Sequence, residues 1–360
     1  MKASEIIQII ETFAPLAYQE SYDNSGLQVG NRTQEIHGVL LTLDITEQVI
    51  DEAINNKCNM IVAHHPVIFS GIKQLSGKNY VERIIIKAIK NDIVLYAAHT
   101  NLDNVAMGVN NKIASKLGLQ NTKILAPSSP TALCKLYVYT PISHADIIRE
   151  AMFAAGAGAI GNYSECSFNT NGLGTFKPSE NSNPSIGTPN GSRETVNEVK
   201  IEVIAPQYLV QQILQAARKA HLYEEMAYEI IALQNVDQTI GAGYIGELPE
   251  AIALQDFLQH VKIKMNAAVI RHTEAVKDTV QRIAVCGGSG SSFLKAVFLT
   301  ADFKYHQFFD AEKQLVIADI GHFESEQYTV EIFYELIKIK FPNFVVILSQ
   351  AKTNPINYYY

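Results

Sequence analysis

Histidine and acidic residues follow three apolar runs of this sequence, and each run predicts a buried strand. His64 and His65 come directly after the first run, and Asp103 ends a five-residue segment after the second. His322 follows the third run, and Glu326 comes four residues later. In α/β sheets, ligand-binding residues gather at the carboxyl ends of strands, where loops converge on one crevice. We therefore expect these five side chains to lie together.

The five residues have the chemistry of metal ligands. A spacing of four residues puts His322 and Glu326 on one face of a helix, one turn apart, so that both can contact one ion. His64 and His65 are neighbours on an extended backbone and point in different directions, which favours two ions over one. A carboxylate such as Asp103 can bridge the two ions. Because imidazole with carboxylate suits Zn, Mn, Fe or Ni better than Ca or Mg, the sequence predicts two divalent transition-metal ions.

Each motif has a simpler interpretation when it is considered alone. The two adjacent histidines could form the edge of a loop, and His322 with Glu326 could be a surface ion pair. Their joint occurrence at three predicted strand ends favours the metal site. His99, which begins the segment that ends in Asp103, is expected to orient this segment by hydrogen bonding rather than to bind metal.

Two further features have open interpretations. The segment Gly287–Gly290 follows a predicted strand and opens a predicted helix, so its amides could hold an anion or simply form a strand-to-helix turn. His306 could act as a general base beside the metal ions, or it could be a structural histidine held by hydrogen bonds. His306 is the candidate catalytic residue.

The elements that must position these residues alternate between apolar runs and amphipathic segments. In the first part of the chain, helices are predicted at 3–13, 46–56, 80–91 and 108–117, and strands at 38–44, 59–63 and 93–98. After residue 241 the rhythm returns, with strands at 282–286, 314–319 and 344–348 and helices at 254–264 and 323–339. This rhythm predicts an α/β fold with mixed or parallel sheets flanked by helices, in two pseudo-related halves.

The middle of the chain has a different pattern, typical of a separate α+β module. Strands are predicted at 134–139, 199–204 and 227–233, and helices at 143–154 and 207–220. The polar stretch 177–193 is rich in Pro, Asn, Ser and Gly and is expected to be a mobile loop without packed structure. We therefore expect a discontinuous outer domain, residues 1–127 and 238–360, interrupted by an inserted domain of residues 128–237.

Composition limits the class of protein. The chain has 360 residues, of which 47% are hydrophobic and 18% are charged, and its net charge is −7. This acidic balance argues against nucleic-acid binding, which needs a basic field. No apolar run reaches the ~18 residues that a membrane span needs. The four cysteines form no CxxC pair, so the expected location is a reducing cytoplasm.

Several motifs, in the right order, resemble the dinuclear-metal family of GTP cyclohydrolase 1 type 2 homologues, also called NIF-three-like proteins. The matching segments are Asp23–Leu27, Leu43–Thr46, His64–Pro66, His99–Asp103, Gly287–Gly290, Asp302–His306 and Gly321–Glu326. All of them lie in the two outer portions of the chain. Two positions depart from the family pattern: Tyr22 replaces a tryptophan, and Ala301 replaces a glycine that permits a tight backbone turn.

This resemblance implies ligands, an assembly and an activity. It makes the five residues identified above the ligands of two divalent metal ions, and it implies hexameric rings of dimers whose metal sites face an internal cavity. Longer family members contain an inserted ferredoxin-like domain similar to PII and CutA-like signalling folds, and residues 128–237 resemble it. The implied function is a metal-dependent hydrolase of a nucleotide-like or phosphate-bearing small molecule. The alternative is a non-catalytic, metal-binding regulatory or scaffold assembly whose insert acts as a sensing or interaction module.

Overall fold

The computed structural model describes residues 1–127, 133–290 and 297–359. By its internal contacts the chain divides into two compact units. The larger unit comprises residues 1–127 and 239–360, and the smaller unit comprises residues 128–238. Among the described residues, no helix is both long enough and apolar enough to cross a membrane.

The larger unit contains a five-stranded sheet that is parallel apart from one edge strand. In spatial order its strands are β1 (Gly26–Val29), β4 (Val94–Ala97), β3 (Met60–Ala63), β2 (Val39–Thr42) and β15 (Val346–Leu348). β1 runs antiparallel to β4, and the other neighbours are parallel. Every residue of β2, β3 and β4 is buried, as expected for parallel strands covered on both faces. The carboxyl ends of these three strands therefore meet at one edge of the sheet.

Helices cover both faces of this sheet. They are α1 (Ala3–Phe13), α2 (Glu47–Asn55), α3 (Tyr80–Lys90) and α10 (Thr329–Lys340). Alternate strand residues divide between the faces: Leu41 packs in a cluster with residues of α1 and α10, and Leu40 packs with residues of α2 and α3. Thr46 caps α2 by accepting a hydrogen bond from the amide of Val49, as its position before an amphipathic segment predicts.

A six-stranded mixed sheet also belongs to the larger unit. In spatial order its strands are β11 (Arg271–His272), β14 (Ile317–Asp319), β13 (Val297–Ala301), β12 (Thr279–Ser289), β10 (Gly241–Ala253) and β5 (Gln120–Pro127). β12, β13 and β14 are parallel, and the remaining neighbours are antiparallel. The other α-helices in the described residues of the unit are α4 (Thr100–Asp103), α5 (Val109–Lys116), α8 (Leu254–Lys264) and α9 (His322–Glu326). The prediction of a mixed α/β fold with sheets flanked by helices is confirmed.

In its described residues, the smaller unit contains one antiparallel sheet and two α-helices. In spatial order the strands are β7 (Ser167–Phe176), β8 (Glu194–Pro206), β6 (Leu133–Pro141) and β9 (Tyr228–Ala232), and the helices are α6 (Ala145–Ala154) and α7 (Val210–Ala220). Alternate residues of β6 and β8, such as Val138 and Val199, pack with α6 and α7 in a core of their own. The intervening residues, such as Tyr139, face away from this core.

The structure departs from the sequence prediction in several places. The helix predicted at 323–339 is two helices, α9 and α10, separated by a turn at Gln327 and Tyr328. Gly287–Ser289 continue β12 instead of opening a helix, and the start of the helix predicted after them lies outside the described residues. Six strands were not predicted from the sequence: β1, β5, β7, β10, β11 and β13. The stretches that form β5, β7 and β10 are exposed or rich in glycine and contain no continuous apolar run.

Candidate metal centre

The predicted ligands lie at the carboxyl ends of strands in the larger unit. His64 and His65 directly follow β3, Asp103 ends α4 shortly after β4, and His322 begins α9 shortly after β14. His65, Asp103, His322 and Glu326 line one cavity of about 680 Å³. His64 is fully buried next to them. The structure therefore brings together all five residues that the motifs indicated.

Glu326 is at the centre of this cluster. Its Oε2 atom lies 2.9 Å from Nε2 of His65, 3.1 Å from Nε2 of His322 and 3.7 Å from Nε2 of His64. The Nε2 atoms of His65 and His322 are 3.2 Å apart. Because His322 and Glu326 are one helical turn apart, their contact is the one that the i,i+4 spacing predicts. A single carboxylate oxygen thus faces three imidazole nitrogens.

Two buried polar atoms of the cluster have no hydrogen-bond partner among the described residues. They are Nε2 of His64 and Oδ1 of Asp103, which lie 3.6 Å apart. Buried polar atoms are nearly always paired in native proteins, and an unpaired one calls for an explanation such as an ion or a water. Imidazole nitrogen and carboxylate oxygen are both metal ligands, so this pair of atoms fits a metal ion.

Three groups of side chains in the described part of the chain are compact enough to hold a metal ion. In each group the ligand atoms all lie within 4.8 Å of one another: His64 with Asp103 and Glu326, His65 with His322 and Glu326, and His64 with His65 and His99. Glu326 belongs to two groups, whereas Asp103 belongs to one. The carboxylate that two of these groups share is therefore Glu326, whereas the bridging role expected for Asp103 stays a prediction.

Hydrogen bonds at the Nδ1 atoms orient the two adjacent histidines. Nδ1 of His64 donates to the carbonyl of Ala98 at 2.8 Å, and Nδ1 of His65 lies 2.7 Å from Oδ1 of Asp44. These bonds engage Nδ1 of each ring, so that Nε2 of each ring faces the other side chains of the cluster. Histidines that bind metal ions are commonly held in this way.

The two other histidines of the cavity are held similarly. Nδ1 of His322 lies 2.6 Å from Oδ2 of Asp302, and Nδ1 of His99 lies 2.8 Å from Oδ1 of Asp23. Asp23 also accepts a hydrogen bond from the first amide of α4, and the carbonyl of His99 accepts one from the amide of Asp103 at 3.1 Å. Asp23 and His99 together therefore hold the short helix that carries Asp103.

The protonation of the cluster is strongly perturbed. Burial lowers the pKa of His65, but hydrogen bonds to two carboxylates outweigh burial and raise the pKa to about 9. At His322, burial also lowers the pKa, but hydrogen bonds to Asp302 and Glu326 outweigh burial and raise the pKa to about 11. Burial and the nearby charge of Glu326 raise the pKa of Asp103. Without metal, the cluster therefore retains protons at neutral pH, and a bound cation would replace this positive charge.

The cavity wall includes the glycine-rich end of β12. A Cβ atom at Gly288, where φ is +59°, would lie 2.5 Å from Oε1 of Glu326, so this position requires glycine. Three amides of the segment already donate to side chains: Gly287 to Asn110, Gly288 to Ser325 and Gly290 to Thr300. These amides are therefore not free to hold an anion, which was one interpretation of the sequence.

Comparison with known proteins decides the family. The family model described as Duf34/NIF3 (NGG1p interacting factor 3) matches residues 1–355. The chain belongs to the Duf34/NIF3 family. Two relatives, both called GTP cyclohydrolase 1 type 2 homolog, come from Halalkalibacterium halodurans (39% identical, 98% of both chains covered) and Bacillus subtilis (36% identical, 99% of both chains covered). The crystal structure of a Bacillus cereus protein related to NIF3 matches with a TM-score of 0.86 at 38% identity and covers 100% of this chain and 99% of its own.

Membership in the Duf34/NIF3 family confirms the resemblance that the motifs indicated. One predicted site residue, however, lies apart from the five clustered side chains. His306 is exposed within a short 3₁₀ helix, Tyr305–Ala311. Its ring centroid lies 5.2 Å from that of Tyr305, and the ring stacks on Phe309 at 6.4 Å. His306 is not among the residues that line the cavity in the described ranges. The structure does not bring it to the five others.

Three carboxylates of this Duf34/NIF3 site, Asp23, Asp44 and Asp302, had no role assigned from the sequence. Two of them lie just after the carboxyl end of a strand, as the proposed ligands do: Asp44 lies two residues after β2, and Asp302 directly follows β13. Asp23 instead precedes a strand, and its partner His99 is 76 residues away. No local pattern indicates that contact.

Proposed function

We propose that the cluster holds two divalent transition-metal ions, one at His64, Asp103 and Glu326 and the other at His65, His322 and Glu326. The observation that carries this proposal is the pair of buried, unpartnered atoms, Nε2 of His64 and Oδ1 of Asp103. All the ligand atoms are imidazole nitrogens or carboxylate oxygens, which suit Zn, Mn, Fe or Ni. Five protein ligands for two ions leave open positions, as in catalytic rather than structural sites.

The function that this site supports best is a metal-dependent hydrolase of a nucleotide-like or phosphate-bearing small molecule. Metal ions bound there would act as Lewis acids and lower the pKa of a bound water. The chain supplies orientation, because Asp44 and Asp302 hold the rings of His65 and His322. Rigid ligands keep the reacting groups in a fixed geometry, which is a large part of what an enzyme contributes.

The volume and lining of the cavity suit a small substrate that contains a ring. Its volume of about 680 Å³ lies within the range of roughly 300–1,000 Å³ that is usual for small-molecule sites. Tyr22 and Phe69 line the cavity and are exposed, so their rings offer apolar faces to a substrate ring. The name of the two curated relatives makes GTP the first substrate to test.

Metal analysis combined with a turnover assay tests this function. Protein purified without chelator should contain about two transition-metal ions per chain, and Asp103→Asn should lose both metal and turnover of GTP, other nucleotides or phosphate esters. The sequence-based role of His306 stays a prediction: His306→Gln should lower turnover without lowering metal content. Protein that stays metal-free after reconstitution at neutral pH would contradict the metal site. Full metal content without turnover would favour the non-catalytic assembly.

We also propose that the smaller unit is a ferredoxin-like inserted domain of the PII or CutA type, spanning residues 128–237. Support comes from its chain order, β-α-β-β-α-β, and from its antiparallel spatial order β7-β8-β6-β9. The hexamer implied by the family resemblance is tested by light scattering on the eluted protein. A monomer or dimer at micromolar concentration would contradict it.

A further inference from the structure

The smaller unit contains a second cavity, of about 650 Å³, at one end of its sheet. Its lining includes Tyr139 of β6 and Glu198 of β8. These two residues alternate with the core residues Val138 and Val199, so their side chains project from the face that points away from α6 and α7. The cavity is therefore separate from the core of this unit.

The walls of this cavity are fixed by hydrogen bonds. The amide of Asn183 donates to both carboxylate oxygens of Glu224, at 2.9 and 3.0 Å, and Oγ of Ser185 donates to the carbonyl of Leu222 at 2.6 Å. These bonds tie the polar stretch 177–193 to the segment between α7 and β9. The stretch 177–193 forms no helix or strand, as its composition predicts, but it has hydrogen-bond partners far along the chain that the sequence did not indicate.

A carboxylate and two aromatic rings meet inside this cavity. Oε1 of Glu198 accepts a hydrogen bond from the hydroxyl of Tyr223 at 2.9 Å. Oε2 of Glu198 accepts none from the residues that the structure describes. Gly174 leaves the space for this second oxygen, because a Cβ atom there would lie 2.1 Å from it. The rings of Phe176 and Tyr223 meet edge to face with centroids 5.6 Å apart.

The charges around this cavity favour a positive ligand. Three acidic residues, Glu198, Glu224 and Glu225, line it against one basic residue, Lys177. Glu224 is already used by the amide of Asn183, whereas Glu198 retains a free oxygen. A carboxylate next to aromatic faces attracts a cation through charge and through the negative face of each ring.

We propose that this cavity binds a small organic cation, with Glu198 as its counter-ion and the rings of Phe176 and Tyr223 as its apolar wall. The volume suits a molecule of metabolite size, since such sites usually measure roughly 300–1,000 Å³. An anion would face uncompensated carboxylates, and a neutral molecule would leave the free oxygen of Glu198 without a charged partner. This site lies in the smaller unit and is independent of the metal cluster.

Calorimetric titration of the full-length protein at low ionic strength tests the proposal. The probes are choline, agmatine and putrescine, with 3,3-dimethylbutan-1-ol as the neutral analogue of choline. At least one cation should bind with a Kd below about 1 mM. Where choline binds, its neutral analogue should bind at least about tenfold more weakly, because charge and cation–π attraction are both lost. Absence of binding by all three cations, or equal binding of choline and the alcohol, would overturn the proposal.

Matched variants locate the site. Glu198→Gln keeps the shape of the side chain and should weaken cation binding about tenfold or more, because it removes the counter-ion. Phe176→Leu should weaken it about threefold through the lost ring. Glu180→Gln is the control, because Glu180 is exposed in the same polar stretch but does not line the cavity, and it should bind within about twofold of wild type. An equal loss in Glu180→Gln, or none in Glu198→Gln with unchanged circular dichroism, would refute the site.

Discussion

Replacing Glu326 by Gln, with Glu324→Gln as its matched control, tests the ligand assignment most directly. Oε2 of Glu326 lies within 3.7 Å of three imidazole nitrogens. Glu324 instead accepts a hydrogen bond from Asn354 at 3.2 Å and belongs to none of the metal-binding groups among the described residues. Side chains two residues apart in a helix point in directions that differ by roughly 200°. Glu324 and Glu326, which are both buried in α9, therefore face different neighbours. Both substitutions keep the shape and remove one charge.

The size of the effect follows from metal linkage. Losing an outer partner of a metal ligand costs roughly 10–100-fold in affinity, so losing a ligand shared by both proposed sites should cost at least about 100-fold. At a free metal concentration about 1,000 times the wild-type Kd, metal stabilises the wild type by about 4.1 kcal/mol. A variant with 100-fold weaker binding would gain only about 1.4 kcal/mol under the same conditions. Glu326→Gln should therefore lose about 2.7 kcal/mol of metal-dependent stability for each bound ion, or roughly 5.4 kcal/mol for two ions.

Urea unfolding with and without Zn²⁺ measures this gain for each variant. The pH must be fixed, because protonation of the ligands alters metal affinity. Glu324→Gln should keep the wild-type gain within about 0.5 kcal/mol, and its metal content should match the wild type. If Glu324→Gln lost the metal and Glu326→Gln retained it, both the ligand assignment and the helix-face reasoning would be wrong.

Three further measurements test other parts of the structure. The pKa values of His65 and His322 are raised to about 9 and about 11, and that of Asp103 to about 8. Metal uptake near pH 7.5 should therefore release about two protons from the two rings and most of a third from Asp103, and affinity should fall as the pH falls. Calorimetry in buffers of different ionisation enthalpy would show no release if the three groups had already lost their protons. Asp302→Asn should weaken metal binding about tenfold in competition with a chelating dye, because it frees the His322 ring; unchanged affinity would show that the ring needs no such partner. The ends of β5 and β10 that flank the smaller unit are register partners, so an Asn-Gly turn in place of that unit should leave a soluble protein that binds metal; aggregation for every turn length would contradict two separate cores.

Strand ends were the most informative signal for the site. His64 and Asp103 could be predicted because apolar runs reveal buried strands, and the carboxyl ends of neighbouring parallel strands meet at one edge. The same rule applies to Asp44 and Asp302, although a carboxylate after a strand is too common to be assigned a role without its partner. The distances between their loops depend on sheet order, which the sequence does not reveal.

Helical periodicity was less informative where hydrogen bonds of particular side chains decide the conformation. The apolar period continues through the turn at Gln327 and Tyr328, so it predicts one helix where the chain forms two. At this turn, Oγ1 of Thr329 donates to the carbonyl of Glu326 at 2.7 Å, and such local side-chain bonds compete with helix continuation. The polar stretch of the smaller unit is a similar case, since its composition predicts a loop but not the partners that hold it.

The position of Glu326 depends on contacts that no local pattern encodes. Its helix, α9, has five residues, too few to be stable alone. Oγ of Ser325 accepts a hydrogen bond from the amide of Gly288 at 3.0 Å and donates one to the carbonyl of His322 at 2.8 Å. Gly288 must be glycine because a Cβ atom would meet Glu326. The glycine-rich end of β12 therefore sets where Glu326 meets the histidines, and this structural role accounts for that segment without an anion.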